Sequence, residues 1–105
     1  MTPKWGFGNI TYAMEGERAH LIISGKVQGV FYRASAKEQA DKLNVTGWVR
    51  NLPDDSVEIQ VEGQKENIKD FLDWCYVGPP NAVVSNIDIE YLQPTGEFSS
   101  FNIKY

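Results

Sequence analysis

Between Ala19 and Tyr105 the apolar residues switch back and forth between the period of a strand and that of a helix, and glycine, proline or a turn cluster marks the switches. His20-Leu21-Ile22-Ile23-Ser24, closed by Gly25, is a short β-branched run that suits a central strand. Tyr32, Ala36, Ala40 and Leu43 then recur at helical spacing, with Lys37/Asp41 and Glu38/Lys42 as charge pairs one turn apart on the other side. Val45 to Leu52 alternates as far as the turn signal Pro53-Asp54-Asp55-Ser56; beyond it Val57, Ile59 and Val61 point one way and Glu58, Gln60 and Glu62 the other, which predicts a hairpin. Ile68, Phe71, Leu72 and Cys75 predict a second helix, stopped by Gly78-Pro79-Pro80. Val83, Ser85, Ile87, Ile89 and Tyr91 alternate as a strand, and after Pro94 and Gly96 a last run sets Phe101, Ile103 and Tyr105 on one face. The order strand, helix, hairpin, helix, strand, strand is that of a ferredoxin-like split βαβ sandwich. This is an α+β fold with an antiparallel sheet of four to five strands and two helices on one face.

A chain of 105 residues holds one modest core. Residues 1–18 mix Pro3, Gly6, Gly8 and Gly16 with isolated aromatics and show no sustained period, so they read as an N-terminal arm, disordered or in part upstream of the natural chain. Met14 offers an alternative start leading straight into the first strand, and residues 19–105 form the domain. The formal net charge of −4 disfavours an extended nucleic-acid surface, although one arginine and a few oriented amides hold a single phosphate whatever the global charge. Cys75 is the only cysteine, which excludes an intramolecular disulfide and a cysteine-based metal cluster. With no apolar signal core and no long apolar run, the expectation is a cytoplasmic protein without membrane contact. The sequons at Asn9 and Asn44 carry no weight, because such tripeptides arise by chance.

Gly25-Lys26-Val27-Gln28-Gly29-Val30-Phe31-Tyr32-Arg33 runs from the first strand into the first helix. A loop entering a helix N-terminus aims successive N–H groups, here from Gln28, Gly29, Val30, Phe31, Tyr32 and Arg33, at one anion, and the helix dipole adds to the attraction. Arg33 at the helix start is able to fork two phosphate oxygens, which a lysine is not. The loop is not a P-loop, since Gly25-Lys26 is followed by Val27 and no hydroxyl residue for magnesium. Asn51, just before the hairpin turn, both donates and accepts, and so is able to fix a water without acting as a base. On spacing alone a glycine-shaped turn with a surface arginine is the commoner reading of the first segment. An asparagine capping a turn is the commoner reading of the second.

Taken together the two segments resemble the acylphosphatase family, whose patterns are G-x-V-Q-G-V-x-[FY]-R and G-[aromatic]-V-[basic]-N-x-x-x-G-x-V-E. Gly25, Val27, Gln28, Gly29, Val30, Tyr32 and Arg33 satisfy the first, and Gly47, Trp48, Val49, Arg50, Asn51, Val57 and Glu58 the second. The resemblance covers Arg18 to Tyr105, including the Gly78-Pro79-Pro80 break and the ending from Phe98 to Tyr105. Asp55 departs from it, standing where the family has a turn glycine. What the resemblance implies is hydrolysis of small acyl phosphates without metal or cofactor, Arg33 and the loop amides binding phosphate and Asn51 orienting water. The acyl group itself is not legible, and a monomer is the modest expectation.

Other candidates are weaker. His20, the only histidine, lies inside a strand and is a poor candidate for a phosphorylated nucleophile, and Cys75 on an apolar helical stripe reads as core. Asp54, Asp55 and Glu58 read as a solvated hairpin tip, so no metal is expected. The alternative is a non-catalytic ferredoxin-like module binding an anion, a metabolite or RNA, the RNA form being weakened by the acidic charge and the missing aromatic signature.

Overall fold

The computed structural model describes residues 16–105. The elements are β1 (Gly16–Lys26), α1 (Tyr32–Lys42), β2 (Thr46–Asn51), β3 (Val57–Gln64), α2 (Lys65–Val77), β4 (Val83–Leu92) and β5 (Phe101–Ile103). They form one five-stranded sheet in the order β4-β1-β3-β2-β5. The inward faces of β1 and β3, with Leu21, Ile23, Val57, Ile59 and Val61, are fully buried together with Ile68, Phe71 and Cys75 of α2 and Tyr32, Ala36 and Ala40 of α1. This is the expected ferredoxin-like α+β sandwich, and each helix buries the stripe that its periodicity marks.

Three features differ from the expected pattern. First, β1 starts at Gly16 and pairs with β3 from Gly16↔Gln64 onward, so Gly16, Glu17 and Arg18, grouped with the arm by composition, belong to the sheet. The rest of the arm, with Met14 and Asn9, lies outside the described residues. Second, the sheet is antiparallel except at one edge, where β5 runs parallel to β2 through Gly47↔Phe101 and Val49↔Ile103. The chain leaves β4 at the opposite edge and crosses the helix-free face before β5 can form. Third, the β1/β4 register slips between Ser24 and Gly25, so that Ser24 faces Asn86 but Gly25 faces Val84. The extra residue reverses the inside-outside alternation, as bulges do. Val83, in step with Ile87 and Ile89 by sequence alternation, is therefore 62% exposed, and Val84 packs on the core instead. Gly25 makes the bulge possible: its φ is +124°, and a Cβ there would lie 2.2 Å from the Val83 carbonyl oxygen.

The crossing segment also changes the fate of Glu62. Strand alternation points its side chain away from the core, yet only 6% of the residue is exposed. Its carboxylate accepts from the Thr95 and Gly96 N–H groups, both at 2.9 Å, and from Arg18 at 2.7 Å. Arg18 also donates to Glu97 at 2.8 Å and stacks on Phe98. Burial alone would raise the Glu62 pKa, but these donors outweigh it and hold the carboxyl below its ordinary value. A depressed carboxyl contributes stability above its unfolded pKa and loses it as pH falls through the folded value. Glu62→Gln is therefore expected to cost about 1–3 kcal/mol at pH 7 and to flatten the acid limb of stability below about pH 4.5. Urea unfolding at pH 7 and pH 3 checks this: equal destabilisation at both values contradicts it.

Inside the sandwich, Tyr32 donates its hydroxyl to the Cys75 carbonyl at 2.6 Å, tying the start of α1 to α2, and Gly78 lets the chain turn over the Tyr32 ring. Cys75 is fully buried, which pushes its thiol up to about 12 and leaves it unreactive near neutrality, as its place on the apolar stripe predicts. Among the described residues no helix is long and apolar enough to cross a membrane.

Candidate active site

The β1–α1 loop is anchored by two apolar residues and exposed between them. Val27 and Val30 are buried at 1% and 7% exposure, which fixes the loop to the core, while Gly29 stands open. Gly29 (φ +74°) and Phe31 (φ +67°) both adopt left-handed backbone. Left-handed residues interposed in a turn swing successive N–H groups to one side, forming a concavity suited to an anion. The loop passes directly into α1, whose first residue is Tyr32.

The start of α1 lacks the features that usually satisfy a helix N-terminus. Phe31 at the N-cap makes no side-chain cap bond, and the first turn holds no acidic residue. The first N–H groups of the helix thus stay open to an external acceptor. Arg33 in that turn adds a cation at the positive end of the dipole, an arrangement that is unfavourable until an anion lies between the two. Its guanidinium sits 5.1 Å from the centroid of the Tyr105 ring. Tyr105 is 99% exposed, so this contact is a surface one and leaves the guanidinium donors available.

Asn51 ends β2, on the same side of the strand as buried Val49. Its Oδ1 is buried and, among the described residues, has no hydrogen-bond partner. An unmet buried acceptor costs about 1–3 kcal/mol, so its persistence points to a ligand or water as the missing donor. Asn51, Gln28, Gly29, Phe31 and Arg33 all line one cleft of about 280 Å³, together with Val27, Ile103 and Tyr105. Residues that the sequence separates by a helix and a strand are thereby brought to one opening.

The Gln28 side chain sets the distance between the two halves. Its Nε2 donates to the carbonyls of Leu52 and Ser56, both at 2.8 Å. The loop is thus stapled to the hairpin turn that follows Asn51. Sequence reasoning gave Gln28 only its backbone amide; a carboxamide in a short glycine loop was the available signal. The contact of Tyr105 with Arg33 had none, because it depends on β5 lying beside β2.

The hairpin turn closes through Leu52 N–H to Ser56 O at 2.9 Å and Asp55 N–H to Leu52 O at 3.2 Å. Asp54 accepts from the Ser56 hydroxyl and backbone N–H, and the hydroxyl bond, with the backbone one behind it, holds its carboxyl below the ordinary value. Asp55 has φ +73°, the left-handed conformation that the resembled family meets with glycine. At Asp55 the turn therefore carries backbone strain. Asp55→Gly is expected to raise stability by about 0.5–1 kcal/mol, the added chain entropy of glycine offsetting part of the gain. A rise of a few degrees in Tm checks it; a fall contradicts it.

The other candidates lie elsewhere. His20 faces the helix-free side of the sheet, its Nε2 2.7 Å from Glu58 Oε2, and Glu58 also accepts from Arg50. Glu58 thus turns away from Asp54 and Asp55. Among the described residues no three His, Cys, Asp or Glu side chains are grouped as a metal site requires.

Comparison with known proteins identifies the family. The family profile described as acylphosphatase matches residues 19–103. An acylphosphatase from Pelotomaculum thermopropionicum is 48% identical over 92 residues, spanning 88% of this chain and all of that protein. The solved structure of an acylphosphatase from Coxiella burnetii superposes with a TM-score of 0.81 at 38% identity, covering 86% of this chain and 94% of the other. That of an acylphosphatase from Bacillus subtilis gives 0.82 at 31% identity, covering 85% and 99%. With the profile spanning most of the domain and the cleft built from both signature segments, the chain is a member of the acylphosphatase family.

Proposed function

We propose that this acylphosphatase hydrolyses small acyl phosphates in the cleft between the β1–α1 loop and the end of β2. Arg33 and the N–H groups of Gln28 to Arg33 bind the phosphate, and Asn51 holds the attacking water. The observation that carries the reading is the orphaned, buried Oδ1 of Asn51, a residue that lines the same cleft as Phe31 at the uncapped helix N-terminus and the first-turn Arg33. That oxygen accepts a proton of the water and so directs a water lone pair toward phosphorus. As the new P–O bond forms, the bond to the acyl oxygen breaks and its electron pair leaves on the carboxylate; the water proton ends on the phosphate product. Carboxylate is a good leaving group, so positioning and charge stabilisation suffice, and the reading requires neither general base, covalent nucleophile nor metal.

We place the protein in the cytoplasm as a monomer acting on small molecules, without a nucleic-acid or membrane partner; the acidic charge supports the lack of a nucleic-acid surface and the single cysteine a reducing compartment. The test is hydrolysis of benzoyl phosphate by the purified chain with and without a chelator. Equal turnover in both is expected. Absent turnover sinks the enzyme reading in favour of a phosphate-binding module, and loss on chelation sinks metal independence.

A further inference from the structure

Phe31 is costly to the fold both in conformation and in exposure. Its backbone is left-handed, at φ 67° and ψ 25°, a region that glycine, asparagine and aspartate enter cheaply and a bulky side chain does not. Gly29, two residues earlier, meets the same demand without a side chain. The phenyl ring recovers little of this cost by burial, since the residue is 80% exposed. An outlier of this kind beside a binding cleft points to a role in the bound state.

The cleft has two kinds of lining. Gln28, Gly29 and Asn51 supply polar groups, whereas Phe31, Ile103 and Tyr105 supply apolar surface. An acyl phosphate is divided in the same way, into a phosphate and an acyl group joined through one oxygen. Phe31 carries its ring on the Cα next to an N–H of the phosphate cradle, so the ring lies within one residue's length of any phosphate held there. In-line displacement also sends the leaving acyl oxygen to the side of phosphorus opposite the water, and so away from Asn51.

We propose that Phe31 is a specificity-determining residue: its exposed ring forms an apolar rim of the cleft that receives the acyl group and favours aromatic over acetyl substrates. This rests on the acylphosphatase reading above. The ring contributes by removing apolar acyl surface from water, which small acyl groups exploit only weakly.

The experiment compares kcat/KM for benzoyl phosphate and acetyl phosphate in the wild-type chain, Phe31→Asn and Phe31→Trp. Asparagine tolerates the left-handed backbone and removes the ring; tryptophan restores an aromatic surface. Damage to the cradle affects both substrates and cancels in their ratio. The benzoyl-to-acetyl ratio is expected to fall about tenfold in Phe31→Asn and to stay near the wild-type value in Phe31→Trp. A ratio unchanged within about twofold in Phe31→Asn overturns the proposal. Competitive inhibition of the wild type by phenylphosphonate and methylphosphonate gives a measure independent of any variant: about tenfold tighter binding of the phenyl compound is expected, and equal inhibition overturns the rim. Hydrolysis of neither substrate by the wild type is a separate outcome, which rejects the activity on which the proposal rests.

Discussion

Arg33→Ala is expected to lower kcat/KM for benzoyl phosphate by about 10³-fold or more while leaving stability within about 1 kcal/mol of wild type. The two effects part because Arg33 does opposite things to the empty and the occupied protein. In the empty protein a cation in the first turn of α1 opposes the helix dipole, while its stacking on Tyr105 favours the fold; the terms are similar in size and offset each other. With phosphate in the cradle the guanidinium supplies forked hydrogen bonds and charge neutralisation as the P–O bond breaks. Arg33→Lys keeps the charge and loses the fork, so it is expected to fall between the two. Phosphate should raise the Tm of the wild type and not that of Arg33→Ala. A variant that retains activity within tenfold contradicts the assignment, and so does a phosphate-dependent Tm rise equal to that of wild type.

Asn51→Ala is expected to reduce kcat by about 10²–10³-fold with KM changed much less, since the group acts on the water and not on the phosphate. The variant should also be at least as stable as wild type. Its Oδ1 is buried without a partner, so deleting it removes a desolvation penalty that the empty protein bears. A rise in stability with a collapse in turnover identifies a group kept for function. Urea unfolding and steady-state kinetics on the same preparation decide it: full activity removes the water-positioning role, and marked destabilisation with proportional loss of activity makes Asn51 a structural turn residue.

The features that were legible in the sequence are those that depend on near neighbours along the chain. Tyr32, Ala36 and Ala40 mark the buried stripe of α1 because helical spacing is a local property, and Val57, Ile59 and Val61 do the same for β3. The same locality made the cradle readable, since Gly29, the loop amides and Arg33 are consecutive and a helix start is an anion site wherever it occurs. Glu62 was misleading for the converse reason. Its alternation marked it for solvent, but Thr95 and Gly96, far along the chain, cover it with donors. Val83 sits in the same alternation as Ile87 and Ile89 but not on their face, because a bulge inserts one residue without changing the period on either side of it.

By itself, then, the sequence determined the order of elements, the buried faces, the cradle and its arginine, and the two signatures of the family. Only the tertiary structure decided that Asn51 shares a cleft with Arg33, that Gln28 holds the loop against the hairpin through Leu52 and Ser56, and that Tyr105 lies on the Arg33 guanidinium. It also placed β5 parallel to β2. The reason is physical: periodicity and turn chemistry act over a few residues, whereas the meeting of a loop, a strand end and a chain end is set by how the sheet and helices close around a shared core.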